Sequence, residues 1–207
     1  MWYNINVDTM KKEIINHYDL LIDEGNDPVN DPIELKEYMD KWDGKDFELA
    51  LNLSCEEDVL EIGVGTGRLA LRNIEKCKKF TGIDISPKTI ETCKKHLKNY
   101  RFELICDDFL TYQFNETFDV IYSSLTFIHF NDKDEVLDKC YKLLNENGRL
   151  IVSIEKSQNE VLDYGSRQLT IYPITKHSFL NLAYLSGFRI IEIKEVEFAY
   201  IFVLRKE

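Results

Sequence analysis

The sequence predicts a three-layer α/β sandwich on a mostly parallel sheet, preceded by a helical segment. Three observations predict it. From Asp58 onward, short apolar runs alternate with longer amphipathic stretches, the pattern of strands joined by crossover helices. The C-terminus breaks that alternation with two strand-like runs, FRIIEIKEV and FAYIFVLRK, almost touching in sequence. So short a link makes an antiparallel hairpin, because a parallel crossover needs about a dozen residues. Before Asp58 the apolar residues show helical spacing broken by turns, with no β-branched run of period two. The sheet is therefore expected to be parallel with one reversed strand at or near its edge.

The elements follow in order. A helix is expected over Met10–Glu24, then the turn GNDPVNDP, then a helix from about Ile33 to Trp42. Both prolines of the turn follow Asp, where a chain turns or enters a helix. DVLEI is a short strand, Gly67–Cys77 is helix-like, and KFTGIDI is a second strand. Ser86-Pro87 is a cap followed by a first-turn proline, and Ile90, Cys93 and Leu97 keep helical spacing after it. ELIC and FDVIYSS are strands three and four. Asn131 or Asp132 caps a helix with Val136, Leu137, Cys140, Leu143 and Leu144 on one face, and Asn147-Gly148 turns the chain into RLIVSIE.

At 207 residues, 44% apolar and 30% charged, the chain fits one domain over 1–207. Residues 1–54 read as a helical N-terminal cap and 55–207 as the core. The net charge of −11 disfavours nucleic acid as a partner, since that affinity comes largely from Lys and Arg on phosphates. The basic stretch Lys76, Lys78, Lys79, Lys88, Lys94, Lys95, Lys98 and Arg101 lacks interleaved aromatics and reads as a solvated helix face. No apolar run approaches the roughly 20 residues of a membrane span. MWYNINVDTMKKE carries no basic-then-apolar signal pattern, so a cytoplasmic protein is expected. The five cysteines, Cys55, Cys77, Cys93, Cys106 and Cys140, have neither zinc-knuckle spacing nor an even number. Buried reduced thiols are expected, and no metal.

VLEIGVGTGRLA, from Val59 to Ala70, is the most informative segment: a strand, an acid at Glu61, the turn Gly63-x-Gly65-x-Gly67, then a helix. Glycines belong where backbone bends sharply and a ligand approaches without a Cβ in the way. The dinucleotide spacing G-x-G-x-x-G fails here, because its third glycine would fall on Arg68 or Ala70; a nicotinamide-dependent oxidoreductase is disfavoured for that reason. Four further segments follow in order: Thr81-Gly-Ile-Asp84-Ile85-Ser86, Ile105-Cys-Asp107-Asp108-Phe109-Leu110, Phe118-Asp119-Val-Ile-Tyr-Ser123-Ser124, and Leu143-Leu-Asn-Glu-Asn-Gly148-Arg-Leu-Ile-Val.

Together these resemble the motifs of class I, Rossmann-like S-adenosylmethionine-dependent methyltransferases, over roughly Asp58 to Arg205. The resemblance implies a seven-stranded sheet with one antiparallel C-terminal strand and an N-terminal helical lid. It implies S-adenosylmethionine as cofactor and S-adenosylhomocysteine as product. The implied contacts are Glu61, Gly63, Gly65, Thr66 and Gly67 in the first motif, Asp84 on the ribose hydroxyls with Ile85 beside it, Asp107 or Asp108 on the adenine amino group, Phe109 through its backbone, and Ser123 near the methionine end. Glu61 either lies near the cofactor's amino group or only ties down the glycine loop.

Methyl transfer from a sulfonium needs alignment and exclusion of water more than a fixed triad, so the motifs point to the cofactor and not the acceptor. Ser123-Ser124-Leu125-Thr126 lacks the proline segment of amide and exocyclic-amine methyltransferases. The candidates on the acceptor side are His129, a base or a loop-packing histidine, and Tyr18 beside His17, functional or packing. Tyr164, Arg167, Tyr172 and His177 lie in the insertion before the last helix. From Asp19 to Glu48 eleven acids face three lysines, a local net of −8. If Asp23, Glu24, Asp27 and Asp31 wall the pocket mouth, they favour a cationic small molecule; otherwise they are a solvated face. The leading expectation is a small-molecule methyltransferase. The alternatives are a non-catalytic module binding the cofactor or its demethylated product, and a protein methyltransferase.

Overall fold

A computed structural model describes residues 7–207; residues 1–6, the start of the stretch read for a signal pattern, lie outside the described residues. Three helices come first: α1 (Val7–Asp23), α2 (Ile33–Met39) and α3 (Gly44–Leu51). Then follow β1 (Asp58–Ile62), α4 (Arg68–Asn73), β2 (Lys79–Asp84), α5 (Pro87–His96), β3 (Glu103–Cys106) and β4 (Phe118–Ser123). The remainder is α6 (Lys133–Leu143), β5 (Leu144–Glu155), the short hairpin β6 (Val161–Asp163) and β7 (Gln168–Thr170), α7 (Lys176–Leu185), β8 (Phe188–Glu195) and β9 (Ala199–Lys206).

Seven strands form the main sheet in the order β3-β2-β1-β4-β5-β9-β8. The pairs β1–β2, β1–β4, β2–β3 and β4–β5 are parallel, and β9 runs antiparallel to both neighbours. The reversed strand thus lies one place in from the edge. Alternation along the strands divides the core. Val120, Tyr122, Ile151, Ile201 and Val203 face α3, α4 and α5, where Phe47, Leu51, Leu69, Ile90 and Cys93 pack. Ile121, Leu150, Val152, Phe202 and Leu204 face α6 and α7, against Val136, Leu137, Cys140, Phe179 and Ala183. The period of two sends one set to each face.

Several elements differ from expectation. α4 ends at Asn73 and continues as one 3-10 turn, Ile74–Lys76. Helix α3 and the β6–β7 hairpin were not separate expectations. Phe47 and Leu51 of α3 are fully buried in the core, so the cap's last helix is part of the sandwich. Only Cys93 and Cys140 are buried, while Cys55 and Cys106 are exposed and Cys77 is intermediate. Cys93 and Cys140 sit on the inner faces of helices, whereas Cys55 lies in the loop before β1 and Cys106 ends β3. No helix among the described residues is long and apolar enough to cross a membrane.

Candidate cofactor and acceptor site

The sheet changes its direction of growth between β1 and β4, and open α/β sheets bind ligands in the crevice outside such a point. After β1 the backbone turns through Gly63, Gly65 and Gly67 at φ +75°, +54° and +97°, a region costly for residues with a Cβ. Gly63 and Val64 N–H both donate to Ile83 O, at 2.8 and 3.1 Å, which pins the loop to β2. A Cβ at Gly63 would stand 2.0 Å from Thr126 Oγ1, so the segment after β4 can lie on the loop only because this residue is glycine. A Cβ at Gly65 would meet nothing within 4 Å; that glycine faces open space.

The carboxyl group of Asp84 is half-buried at the end of β2. It accepts from Gly65 N at 2.9 Å, Ser86 N at 2.9 Å and Thr89 Oγ1 at 3.2 Å, and the Ile85 N–H lies against it. Burial raises its pKa against the pull of these donors. Of the two acids after β3, Asp107 is exposed and accepts from Asp108 N at 2.7 Å. Asp108 is the one that meets α1, through an ion pair with Lys11, and it accepts from Leu110 N at 2.8 Å. Phe109 packs into the core. Glu61 is buried and accepts from Tyr122 Oη at 2.8 Å; burial pushes its pKa up to about 8. The hydroxyl of buried Thr66 has no partner among the described residues.

Ser123 departs from the expected role. Its hydroxyl donates to Ile62 O at 2.9 Å and is fully buried, so it ties β4 to β1 and does not reach the crevice. Its neighbour Ser124 donates to Asp43 Oδ2 at 2.8 Å. Asp43 and Arg68 escaped the sequence reading. The Arg68 guanidinium donates to Asp43 Oδ1 at 3.0 Å and also to its Oδ2. Burial opposes ionisation of Asp43, but the Arg68 bonds and charge outweigh it and hold its pKa low. Only the arginine after Gly67 hinted at this pair, since no spacing rule joins a loop acid to a helix 25 residues on.

Helix α1 lies across the crevice. Asp19 Oδ1 accepts from Ser86 Oγ at 2.7 Å and Lys88 N at 3.2 Å. Of the four acids expected to attract a cation, Asp23 pairs with Lys88 Nζ at 2.5 Å and Glu24 with Arg167 at 2.6 and 2.8 Å, Asp27 lies 3.1 Å from His96 Nε2, and Asp31 has no ion pair among the described residues. The first two fasten the end of α1 to α5 and to the insertion. Tyr18 Oη lies 2.6 Å from His129 Nε2, so the two acceptor-side candidates meet across 111 residues of chain. Burial, with the nearby His17 and Lys133, lowers the His129 pKa to about 4, and burial raises that of Tyr18. An imidazole held this low is neutral at physiological pH and only a weak base.

From the insertion, Tyr164 packs edge-on against His17 at 4.5 Å, Arg167 grips Glu24, and Tyr172 Oη contacts Met10 Sδ at 3.5 Å. His177 is exposed on α7 and joins none of these. Lys133, also unforeseen, donates its Nζ to Phe130 O at 2.7 Å and to Tyr172 O, and burial lowers its pKa to about 8. It fastens the insertion beside the turn that carries His129. A groove of about 420 Å³ opens there, lined by Asn131, Tyr172 and Leu182 among others.

A family model described as a methyltransferase domain matches residues 59–148, from β1 through the turn before RLIVSIE. This segment is thus similar to a methyltransferase domain, and solved structures of like fold include S-adenosylmethionine-dependent methyltransferases. It is 37% identical over 122 residues to an uncharacterized methyltransferase of Anoxybacillus flavithermus, covering 56% of each chain. Against the demethylmenaquinone methyltransferase of Thermotoga maritima identity is 32% over 114 residues, 54% of this chain and 49% of the relative. The chain spans about half the length of the curated relatives it matches. The fold matches the magnesium protoporphyrin IX methyltransferase of Synechocystis with bound S-adenosylmethionine at TM-score 0.73, 14% identity, 99% of this chain and 100% of that one. The N-methyltransferase NodS of Bradyrhizobium japonicum, in complex with S-adenosylhomocysteine, gives 0.70 at 16% identity, 95% and 98%.

The residues present fit S-adenosylmethionine, the cofactor of these methyltransferases. A carboxylate offers about four lone-pair sites, and Gly65, Ser86 and Thr89 already donate to Asp84, so a vicinal diol bound there would replace some of these donors. Gly65 leaves space over the loop, and the unpartnered Thr66 hydroxyl awaits a polar group.

Proposed function

We propose that this chain, as a single unit over 1–207, binds S-adenosylmethionine and transfers its methyl group to a small-molecule acceptor in the crevice beneath α1. The observation that carries the reading is the glycine loop closed on Asp84 through Gly65 N–H at 2.9 Å, within the segment that matches the methyltransferase domain. When bound, the cofactor supplies a methyl group on a sulfonium, activated for displacement. Asp84 would hold the ribose hydroxyls and Asp108 the adenine amino group, with Lys11 as the lid residue that first occupies Asp108. Thr66 and the backbone of Gly63–Gly67 would line the methionine end, where Glu61 lies beneath the loop. Tyr18 and His129 close the acceptor side, and the fastened α1 keeps water from the reacting atoms.

A small-molecule acceptor is supported by relatives named malonyl-[acyl-carrier protein] O-methyltransferase and demethylmenaquinone methyltransferase, and by the acidic balance of the chain. The test is calorimetric titration of S-adenosylmethionine and S-adenosylhomocysteine into the parent and an Asp84→Ala variant. Micromolar binding by the parent, lost or much weakened in the variant, is the expected result. Absence of binding to folded parent protein would overturn the reading.

A further inference from the structure

Two histidines, one buried and one half-buried, flank Tyr18 with one buried ring nitrogen each unmatched among the described residues. His17 is 4% exposed, and its Nδ1 receives the N–H of Arg167 Nε at 3.1 Å. A guanidinium only donates, so Nδ1 carries the lone pair and the proton sits on Nε2. Arg167 is itself held by both oxygens of Glu24, at 2.6 and 2.8 Å, which keeps that donor in place. The His17 Nε2–H has no acceptor among the described residues.

His129 repeats the pattern from the other side. Its Nε2 lies 2.6 Å from Tyr18 Oη. If the phenol donates, Nε2 accepts and the ring proton sits on Nδ1. If the ring donated instead, the buried phenol proton would be stranded and Nδ1 would be a bare lone pair, two unmet groups in place of one. The first arrangement is favoured because each unmet buried group is costly, so His129 Nδ1–H is a second buried donor without an acceptor among the described residues. Both imidazoles flank the same phenol, edge-on, with centroids 5.0 Å and 5.4 Å from the Tyr18 ring.

From this we infer, on the methyltransferase reading above, that His17 Nε2–H and His129 Nδ1–H recognise the methyl acceptor, and that the acceptor presents oxygen lone pairs to them, as a carboxylate or a phenol does. An ammonium group brings only donors and would leave both N–H groups unmet while displacing any water that served them. The ion pairs of Asp23 with Lys88 and of Glu24 with Arg167 weaken the feature that favoured a cation. Neither histidine acts as a base here; both position an oxygen.

The test is long-range ¹H–¹⁵N NMR of the histidine rings in the full chain, with acetate, phenol and methylammonium as probes. His96 and His177, the other two of the four histidines, serve as internal controls. At neutral pH His17 should appear as the Nε2–H tautomer and His129 as Nδ1–H. Acetate and phenol should shift both ring N–H signals saturably, and methylammonium should not. His17→Gln and His129→Asn, which keep an N–H near the same place, should retain the binding; His17→Phe and His129→Phe should lose it. The opposite tautomers, silence from both oxygen probes, or an equal response to methylammonium would overturn the inference. Calorimetry with S-adenosylhomocysteine on the same sample reports separately on the cofactor reading, so either can fail without the other.

Discussion

Replacing Glu61 with Gln should make the protein's stability less dependent on pH, and the structure gives the size of the effect. Glu61 is buried beneath the glycine loop and accepts the Tyr122 hydroxyl at 2.8 Å. Burial raises its pKa from 4.5 to about 8, so the folded protein holds a proton there that the unfolded chain releases. A carboxyl group shifted this way stabilises the fold fully below pH 4.5 and loses that contribution as pH climbs towards 8. Integrated to pH 7, the loss is on the order of 3 kcal/mol. Glutamine keeps the bond from Tyr122 and has no proton to lose. The stability of the parent relative to Glu61→Gln should therefore fall by that amount between pH 4.5 and 7. Urea unfolding of both proteins at several pH values measures it, since every other titrating group cancels in the difference. In thermal melts the change corresponds to about 6–12 °C for a chain of this size. A difference that stays flat with pH would refute the argument that Glu61 is held neutral by burial.

Three other outcomes follow from the same geometry. Gly63→Ala should cost about 2–5 kcal/mol, because strain at positive φ adds to the clash with Thr126, whereas Gly65→Ala should cost only about 1–2 kcal/mol while weakening cofactor binding. Equal losses in urea unfolding would contradict that contrast. Asp43→Ala leaves Arg68 buried without its main partner and should destabilise by about 3–5 kcal/mol; a shift in melting temperature equivalent to less than about 1 kcal/mol would show the pair to be dispensable. Under native conditions a thiol reagent should modify Cys55 and Cys106 quickly and leave Cys93 and Cys140 until unfolding, a difference that peptide mass mapping reads directly.

Much of this molecule was legible before any coordinates. Strand and helix periods are local, so DVLEI, KFTGID, ELIC and FDVIYS could be found in the string, and the short link after FRIIEIKEV dictated the reversed strand. The glycine turn and the acid after KFTGI are also local, because backbone conformation and strand ends are written in neighbouring residues. What the string could not carry is which distant side chains meet. Tyr18 and His129, Asp43 and Arg68, and Glu24 and Arg167 are each joined across 25 residues or more, and no spacing rule spans such separations. The acids of the N-terminal segment look alike in sequence; only the packed lid shows that they are engaged by Lys88, Arg167 and His96. Burial is likewise a property of the assembled fold, and it sets the proton on Glu61 and removes it from His129. Local chemistry determined the strands, the glycine cradle and the resemblance they carry, and tertiary packing decided the charge states and the tautomers around them, because desolvation and long-range contacts exist only once the chain has folded.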